Sequence, residues 1–271
     1  GSQSSQRHWH AAEDEFLYVL DGAVTLIEND GPHVLRPGDA AAWPAGVPNA
    51  HCLQNRTDRP VAYLVVGSRL PDDEVHYPDI DLHYVRKDGI RLIGQKTPKK
   101  RVVLENAGGQ RNGIVVVPED RKDCMGCHSD MAPPFPLLPG VSGQLMMRNP
   151  MMHGIEIRNI TIKDFRNNGL FTENVDGFQI VGVESINNKN YGIFPTLSKN
   201  GIITHSRATG SDDSGIWIET SENVSAVYNL VDQNVNGFEV SNSDDILLAH
   251  NNIRGNTVGM AYINSLCSRS F

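Results

Sequence analysis

The segments GLFTE (169–173), GIFPT (192–196), GIWIE (215–219), GFEVS (237–241) and GMAYI (259–263) repeat one pattern at a fixed interval. Their leading glycines, Gly169, Gly192, Gly215, Gly237 and Gly259, stand 23, 23, 22 and 22 residues apart. A period of this length is the mark of a solenoid, in which each repeat is one coil stacked on the next. The residue after each glycine is apolar (Leu170, Ile193, Ile216, Phe238, Met260) and is expected to point inward as a continuous column. Asn and Asp fill the remaining corners, as tight turns require. A second register, Ser206, Asn229 and Asn251, predicts a polar ladder in which stacked side chains hydrogen-bond from coil to coil.

Two residues past each of the first three glycines come Phe171, Phe194 and Trp217, with Glu173 and Glu219 two further on. If this column faces outward, coils ~4.8 Å apart make an aromatic platform about 10 Å long, the scale of two or three sugar rings. The competing expectation is a stripe covered by a loop such as 133–141. Asp176 and Asp212 stand 36 residues apart, about one and a half coils, so they read as turn-forming acids and not as a hydrolytic pair.

A period of 22 to 23 with short strands and no helix or leucine-rich signature resembles the right-handed parallel β-helix family over about residues 90–265. The family includes pectate lyases, polygalacturonases, alginate epimerases and periplasmic accessory proteins. The resemblance implies a polysaccharide partner and leans toward an extracytoplasmic compartment. Asn174 to Gly177 and Asp212-Asp213 are similar to the NTD and DD elements of polygalacturonases, but they are wrongly spaced, and the GHG and RIK elements are missing.

Upstream, residues 7–70 read as short strands rich in β-branched and aromatic residues: EFLYVL, AVTLIE, HVLR, AAAW, HCLQ and PVAYLVV. Asp21-Gly22, Asn29-Asp30-Gly31, Pro37-Gly38-Asp39 and Pro44-Ala45-Gly46 punctuate them as turns, so hairpin follows hairpin. His8 and His10 are two apart on a strand and share a face, and Glu15 opens the next strand. With His51 from a distant strand they form a set of imidazoles and a carboxylate suited to one divalent metal such as Zn, Fe, Mn, Ni or Cu.

These residues resemble the two motifs of the cupin superfamily, over about residues 1–85. His8, His10, Glu15 and Gly22 meet the first; Gly38, Pro44, Gly46, His51 and Asn55 meet the second. In two places the sequence departs from the pattern. His51 follows Gly46 after four residues where the family usually has two, which puts Asn49 in the usual ligand column, and the glycine expected ahead of His8 is absent. His51 is preferred because its spacing to Asn55 is kept. The resemblance implies a barrel with the metal inside and a small-molecule ligand. The constellation allows dioxygen activation or Lewis-acid polarisation of a carbonyl or hydroxyl. Glu13, Asp14 and Tyr18 stand out no further than solvent-facing strand residues.

The expected fold is therefore all-β, with a cupin-type antiparallel barrel at 1–85 and a right-handed parallel β-helix at 86–271 that carries a loop excursion at 117–152. A formal charge of −8 argues against a nucleic-acid partner, and the one basic cluster, Lys96, Lys99, Lys100 and Arg101, reads as a solvated linker. No run of about 18 apolar residues is present to span a membrane. Four cysteines are too few for a disulfide framework. Cys124, Cys127 and His128 form a CxxCH, formally a c-type haem motif, yet the neighbourhood is loop-like; free thiols, a disulfide or a small metal clip are expected there ahead of haem. Only seven residues precede His8, and the solenoid pattern stops at Ile263 before NSLCSRSF. Truncated ends with open β edges are therefore expected, either covered by partner subunits, as in a homo-oligomer, or leading to aggregation of the chain expressed alone. Functionally, the reading is a metal-binding cupin module for a small molecule joined to a β-helix that recognises or modifies polysaccharide. The alternative is a cupin oxygenase or isomerase with the β-helix as a non-enzymatic scaffold.

Overall fold

The computed structural model of the protein describes residues 2–87, 89–94, 102–106, 110–117, 151–265 and 269–270. Among the described residues there are strands and no helix. They fall into two compact units, Gly1–Lys100 and Arg101–Phe271.

The first unit holds β1 (Ser2–Gln3), β2 (Trp9–His10), β3 (Glu15–Asp21), β4 (Val24–Glu28), β5 (Gly31–Leu35), β6 (Ala40–Trp43), β7 (Cys52–Asn55), β8 (Ala62–Gly67), β9 (Asp73–Tyr77), β10 (Leu82–Arg86) and β11 (Ile90–Gly94). The strands pair antiparallel in three runs, β1-β7-β4-β5, β6-β3-β8 and β2-β9-β10-β11. Alternation along β3 decides its facing: Leu17 and Val19 are buried, while Phe16, Tyr18 and Leu20 are exposed. Leu17 and Val19 meet Val24, Leu26, Trp43 and Leu53 in one core. Each such side chain contributes about 1.5–3 kcal/mol by leaving water. The Asp21-Gly22 turn needs its glycine, because Gly22 sits at φ 78° and a Cβ there would lie 2.7 Å from the Pro60 carbonyl oxygen.

Ile90–Gly94, expected as the start of the β-helix, pairs antiparallel with β10. The reason is local: Lys87 N–H donates to the Gly89 carbonyl (3.1 Å), which folds the chain back on itself. The two units divide between Lys100 and Arg101.

The second unit is a parallel β-solenoid of about five turns. One ladder stacks Val102–Glu105, Ile160–Lys163, Glu184–Ile186, Arg207–Thr209, Leu230–Asp232 and Asn252–Arg254. Another stacks Ile114–Val116, Leu170–Glu173, Ile193–Thr196, Ser214–Glu219, Asn236–Ser241 and Val258–Ile263. A third stacks Met152–Arg158, Val175–Val181, Lys199–Thr204, Glu222–Val227, Asp244–Ala249 and Arg269–Ser270.

The repeating glycines have a steric cause. A Cβ on Gly192 would lie 2.4 Å from the Gly215 carbonyl oxygen, and one on Gly237 2.4 Å from that of Gly259. The apolar column is buried at Leu170, Ile193, Ile216 and Phe238, but Met260 is 43% exposed, because its strand ends the ladder and has a neighbour on one side only.

The predicted polar ladder is present: Ser206 N–H donates to Asn229 Oδ1 (3.0 Å) and Asn229 N–H to Asn251 Oδ1 (2.9 Å). Two further ladders stand beside it. Ser198, Ser221, Ser243 and Ser265 hydrogen-bond coil to coil, as do Ser211, Asn234 and Asn256. Each member of the serine ladder follows a left-handed residue: Leu197, Thr220, Asn242 and Asn264. The hydroxyls satisfy backbone N–H groups that the bends take out of the strands.

Candidate metal centre

Period two along β2 and the residues before it sends His8 and His10 to one face and Trp9 to the other. His8 is bound to His51 by a reciprocal pair of backbone hydrogen bonds, His8 N to His51 O (3.1 Å) and His51 N to His8 O (2.9 Å). Glu15, at the head of β3, turns its carboxylate to the same point. Glu15 Oε2 is 2.8 Å from His51 Nε2, 3.6 Å from His10 Nε2 and 4.0 Å from His8 Nε2. The four residues expected from the two motifs are therefore brought together.

The opposite ring nitrogens are all tied down. His8 Nδ1 donates to the Gln6 carbonyl (2.9 Å), His10 Nδ1 to Asp73 Oδ2 (2.6 Å), and His51 Nδ1 faces the Asn49 carbonyl (3.4 Å). The carbonyl and carboxylate oxygens only accept, so in a neutral His8 or His10 ring the proton sits on Nδ1 and the Nε2 lone pair is free, whereas His51 Nε2–H donates to Glu15 Oε2 and must give up that proton to bind an ion. Burial lowers the His8 pKa, and the hydrogen bond from His51 holds the Glu15 carboxyl below its usual range. A neutral His8 and an ionised Glu15 are the protonation states that metal ligation requires of them. Donor atoms of His8, Glu15 and His51 lie within 4.8 Å of one another, as a metal ion would need.

The centre also contains residues that sequence reasoning missed. Asp73, a buried carboxylate on β9, holds His10 and accepts the Ala12 N–H (3.0 Å). Its only sequence signal is its place at the head of DEVHYPDIDL. Trp43 stacks on the His51 ring at 3.7 Å and 9°. The Trp43 indole N–H and the Asn49 amide both donate to Glu28 Oε1, so Asn49 is turned toward Glu28. Glu13 is clamped by Arg86 (2.5 Å) and shares a cluster with His10 and Asp73. An open cavity of about 390 Å³ reaches Glu15, lined by Asp14, Phe16, Trp43, Val66 and Ser68 among others.

The expected sugar platform on the solenoid needs correction. Phe171, Phe194 and Glu173 are buried, at 1%, 1% and 2% exposure, because the strands Leu170–Glu173 and Ile193–Thr196 are covered on both faces. Phe194 does stack on Trp217 (4.4 Å, 4°), and Trp217 and Glu219 are half-buried. Trp217 Nε1–H donates to Ser241 Oγ (2.8 Å), and Glu219 accepts from Thr196 (3.0 Å). Tyr191 packs on Trp217 at 4.5 Å, and burial together with Asp213, Glu239 and Glu219 pushes its pKa up to about 12. Asp176 accepts from Asn200 and Asp212 pairs with Lys189, surface contacts that suit turn acids. Cys124, Cys127, His128, the 133–141 loop, nearly all of the 117–152 excursion and the basic cluster at 96–101 lie outside the described residues.

A small antiparallel barrel with histidines and a carboxylate converging on one point, followed by a parallel β-solenoid, defines a cupin-plus-β-helix protein. Residues 1–67 match the family model described as "Cupin domain", and residues 148–268 match "Right handed beta helix region". No curated protein matches the sequence. A cupin-superfamily sugar phosphate isomerase from Silicibacter pomeroyi is 40% identical, covering 37% of this chain and 63% of its own, with a TM-score of 0.34. A proposed sugar phosphate isomerase from Acidithiobacillus ferrooxidans is 32% identical, covering 35% of this chain and 60% of its own, with a TM-score of 0.33. The chain thus spans under two thirds of the length of either structure.

Proposed function

We propose that the first unit is a metal-dependent small-molecule module, with one divalent transition metal held by Nε2 of His8, His10 and His51 and by the Glu15 carboxylate. The observation that carries this is the convergence of His51, His10 and His8 Nε2 on Glu15 Oε2, at 2.8, 3.6 and 4.0 Å, with each Nδ1 held from behind. When bound, the ion supplies Lewis-acid polarisation of a ligand carbonyl or hydroxyl. Asp73 orients His10, and Trp43 fixes the plane of His51.

Elemental analysis of the purified chain tests this directly. One metal per chain is expected, lost in His8→Ala and in His51→Ala. Protein made with each candidate ion present and still metal-free would sink the reading. An oxygen-consumption screen beside an aldose–ketose interconversion screen separates the oxygenase and isomerase versions.

The second unit is read as a polysaccharide-recognition surface narrowed to the coil around Trp217, supported by the half-buried Trp217–Tyr191 pair and by Glu219 beside it. Loss of oligosaccharide binding in Trp217→Ala at unchanged thermal stability supports it; a large stability loss makes the indole a core residue and the solenoid a scaffold. Self-association through open strand edges belongs to the same proposal, and sedimentation velocity over a concentration series reads it.

A further inference from the structure

The register of β2, β9 and β10 places a second group of donors away from the barrel centre. His76 on β9 pairs directly with His83 on β10, and with Trp9 on β2. Directly opposed residues on antiparallel strands have Cβ atoms about 4.5–5.5 Å apart, close enough for two imidazoles to share one ion. Glu74 lies two residues before His76 and so leaves the same face. His10 and Val75 are the next pair along and point to the other face, where Asp73 holds His10. The two sets of donors thus lie back to back across one layer of strands.

Geometry on this outer face is close. The His76 and His83 rings stack at 4.6 Å and 20°, and Trp9 closes the far side of His76 at 4.2 Å and 11°. Glu74 Oε2 is 3.3 Å from His83 Nε2 and 3.9 Å from His76 Nε2. All three donor atoms fall within 4.8 Å of one another. The His83 Nε2 is shielded from solvent and has no hydrogen-bond partner. A shielded nitrogen that faces a carboxylate without a hydrogen bond to it is a cost to the fold that a coordinated cation removes.

We propose that Glu74, His76 and His83 form a second metal site, separate from the barrel centre, that takes a late first-row divalent ion. Two imidazoles and one carboxylate rank such ions in the Irving–Williams order, so Cu(II) binds more tightly than Ni(II), and Ni(II) more tightly than Mn(II). The three residues are only partly covered, with side-chain exposures of 50%, 35% and 28%, so water completes the coordination. The ion ties β9 to β10 from the outside. The inference stands independently of the reading of the barrel centre, since it shares none of that centre's ligands.

The test is a Ni(II) titration of the full chain in a Cys124→Ser/Cys127→Ser background, which removes the paired CxxC thiolates. Bound metal is counted by equilibrium dialysis, and indole fluorescence is followed because Ni(II) at His76 would quench the stacked Trp9. His83→Gln is expected to remove one equivalent of Ni(II) and the Trp9 part of the quenching, which a Trp9→Phe variant identifies. His8→Ala removes a different equivalent and leaves that quenching in place. Glu74→Gln, at a half-exposed position that does not threaten folding, weakens the same equivalent by at least about tenfold. Unchanged stoichiometry, affinity and quenching in both His83→Gln and Glu74→Gln would overturn the proposal.

Discussion

Replacing Asp73 by Asn tests whether the barrel centre is organised by a carboxylate 63 residues away from the histidine it holds. Asp73 accepts two hydrogen bonds, from His10 Nδ1–H at 2.6 Å and from Ala12 N–H at 3.0 Å, and its side chain is 2% exposed. An amide of the same shape has one accepting oxygen. It therefore either sets its NH2 against the Ala12 N–H, leaving two buried donors face to face, or turns its NH2 to His10. In the second case His10 shifts its proton to Nε2, the atom that must be bare to bind metal. A hydrogen bond to a charged group contributes about 1.5–3 kcal/mol, and loss of a carboxylate behind a metal-binding histidine typically weakens metal affinity about 10–100-fold. At 1.4 kcal/mol per tenfold, that affinity loss corresponds to about 1.4–2.8 kcal/mol. Competition titration against a chromophoric chelator reads affinity, and denaturant unfolding of the metal-free protein reads stability. Asp73→Asn should bind about 10–100-fold more weakly and lose about 1–3 kcal/mol of stability, whereas Asp72→Asn, on an exposed neighbour, should do neither. Wild-type metal affinity in a folded Asp73→Asn protein would refute the argument that His10 is oriented from β9.

The solenoid yields sharper stability tests. Asn234→Ala leaves the Ser211 N–H without its acceptor and frees the carbonyls of Ala208 and Asp232, so a loss of about 2–4 kcal/mol is expected in chemical denaturation. Gly201→Ala would place a methyl 2.0 Å from the Phe178 ring, which is fully buried, and should cost about 1–3 kcal/mol, visible as a lowered Tm. Tyr191 titrates near 12 in the folded protein against 10 ordinarily, so the folded state holds its proton more tightly. Its contribution to stability is then complete below pH 10 and lost as pH rises toward 12, and Tyr191→Phe should flatten that alkaline loss in denaturation midpoints.

Where a constraint repeats along the chain, the residues announce it. At Gly169, Gly192 and Gly237 an added Cβ would lie 2.7, 2.4 and 2.4 Å from the next coil's glycine carbonyl oxygen, and a close approach that recurs from coil to coil makes the spacing readable without coordinates. His8, His10 and Glu15 are readable for the same reason, since strand alternation and one short turn are local rules. Asp73 is invisible to such rules, because its contact with His10 exists only once β2 has paired with β9, and nothing near residue 73 specifies that pairing. The outward aromatics fail differently. Period two sets Phe171 and Phe194 in one column, but whether a side chain in that column meets water depends on what lies over the strand, and alternation carries no information about that. Ile90–Gly94 shows the third limit: an apolar strand fits an antiparallel hairpin and a solenoid ladder equally well, so its hairpin pairing with β10 is not legible in the sequence. The same asymmetry explains why Glu74, His76 and His83 went unremarked, for their cluster is the product of a cross-strand register. Functional groups assembled by strand pairing, and not by spacing, are therefore where coordinates add most to a β-rich sequence.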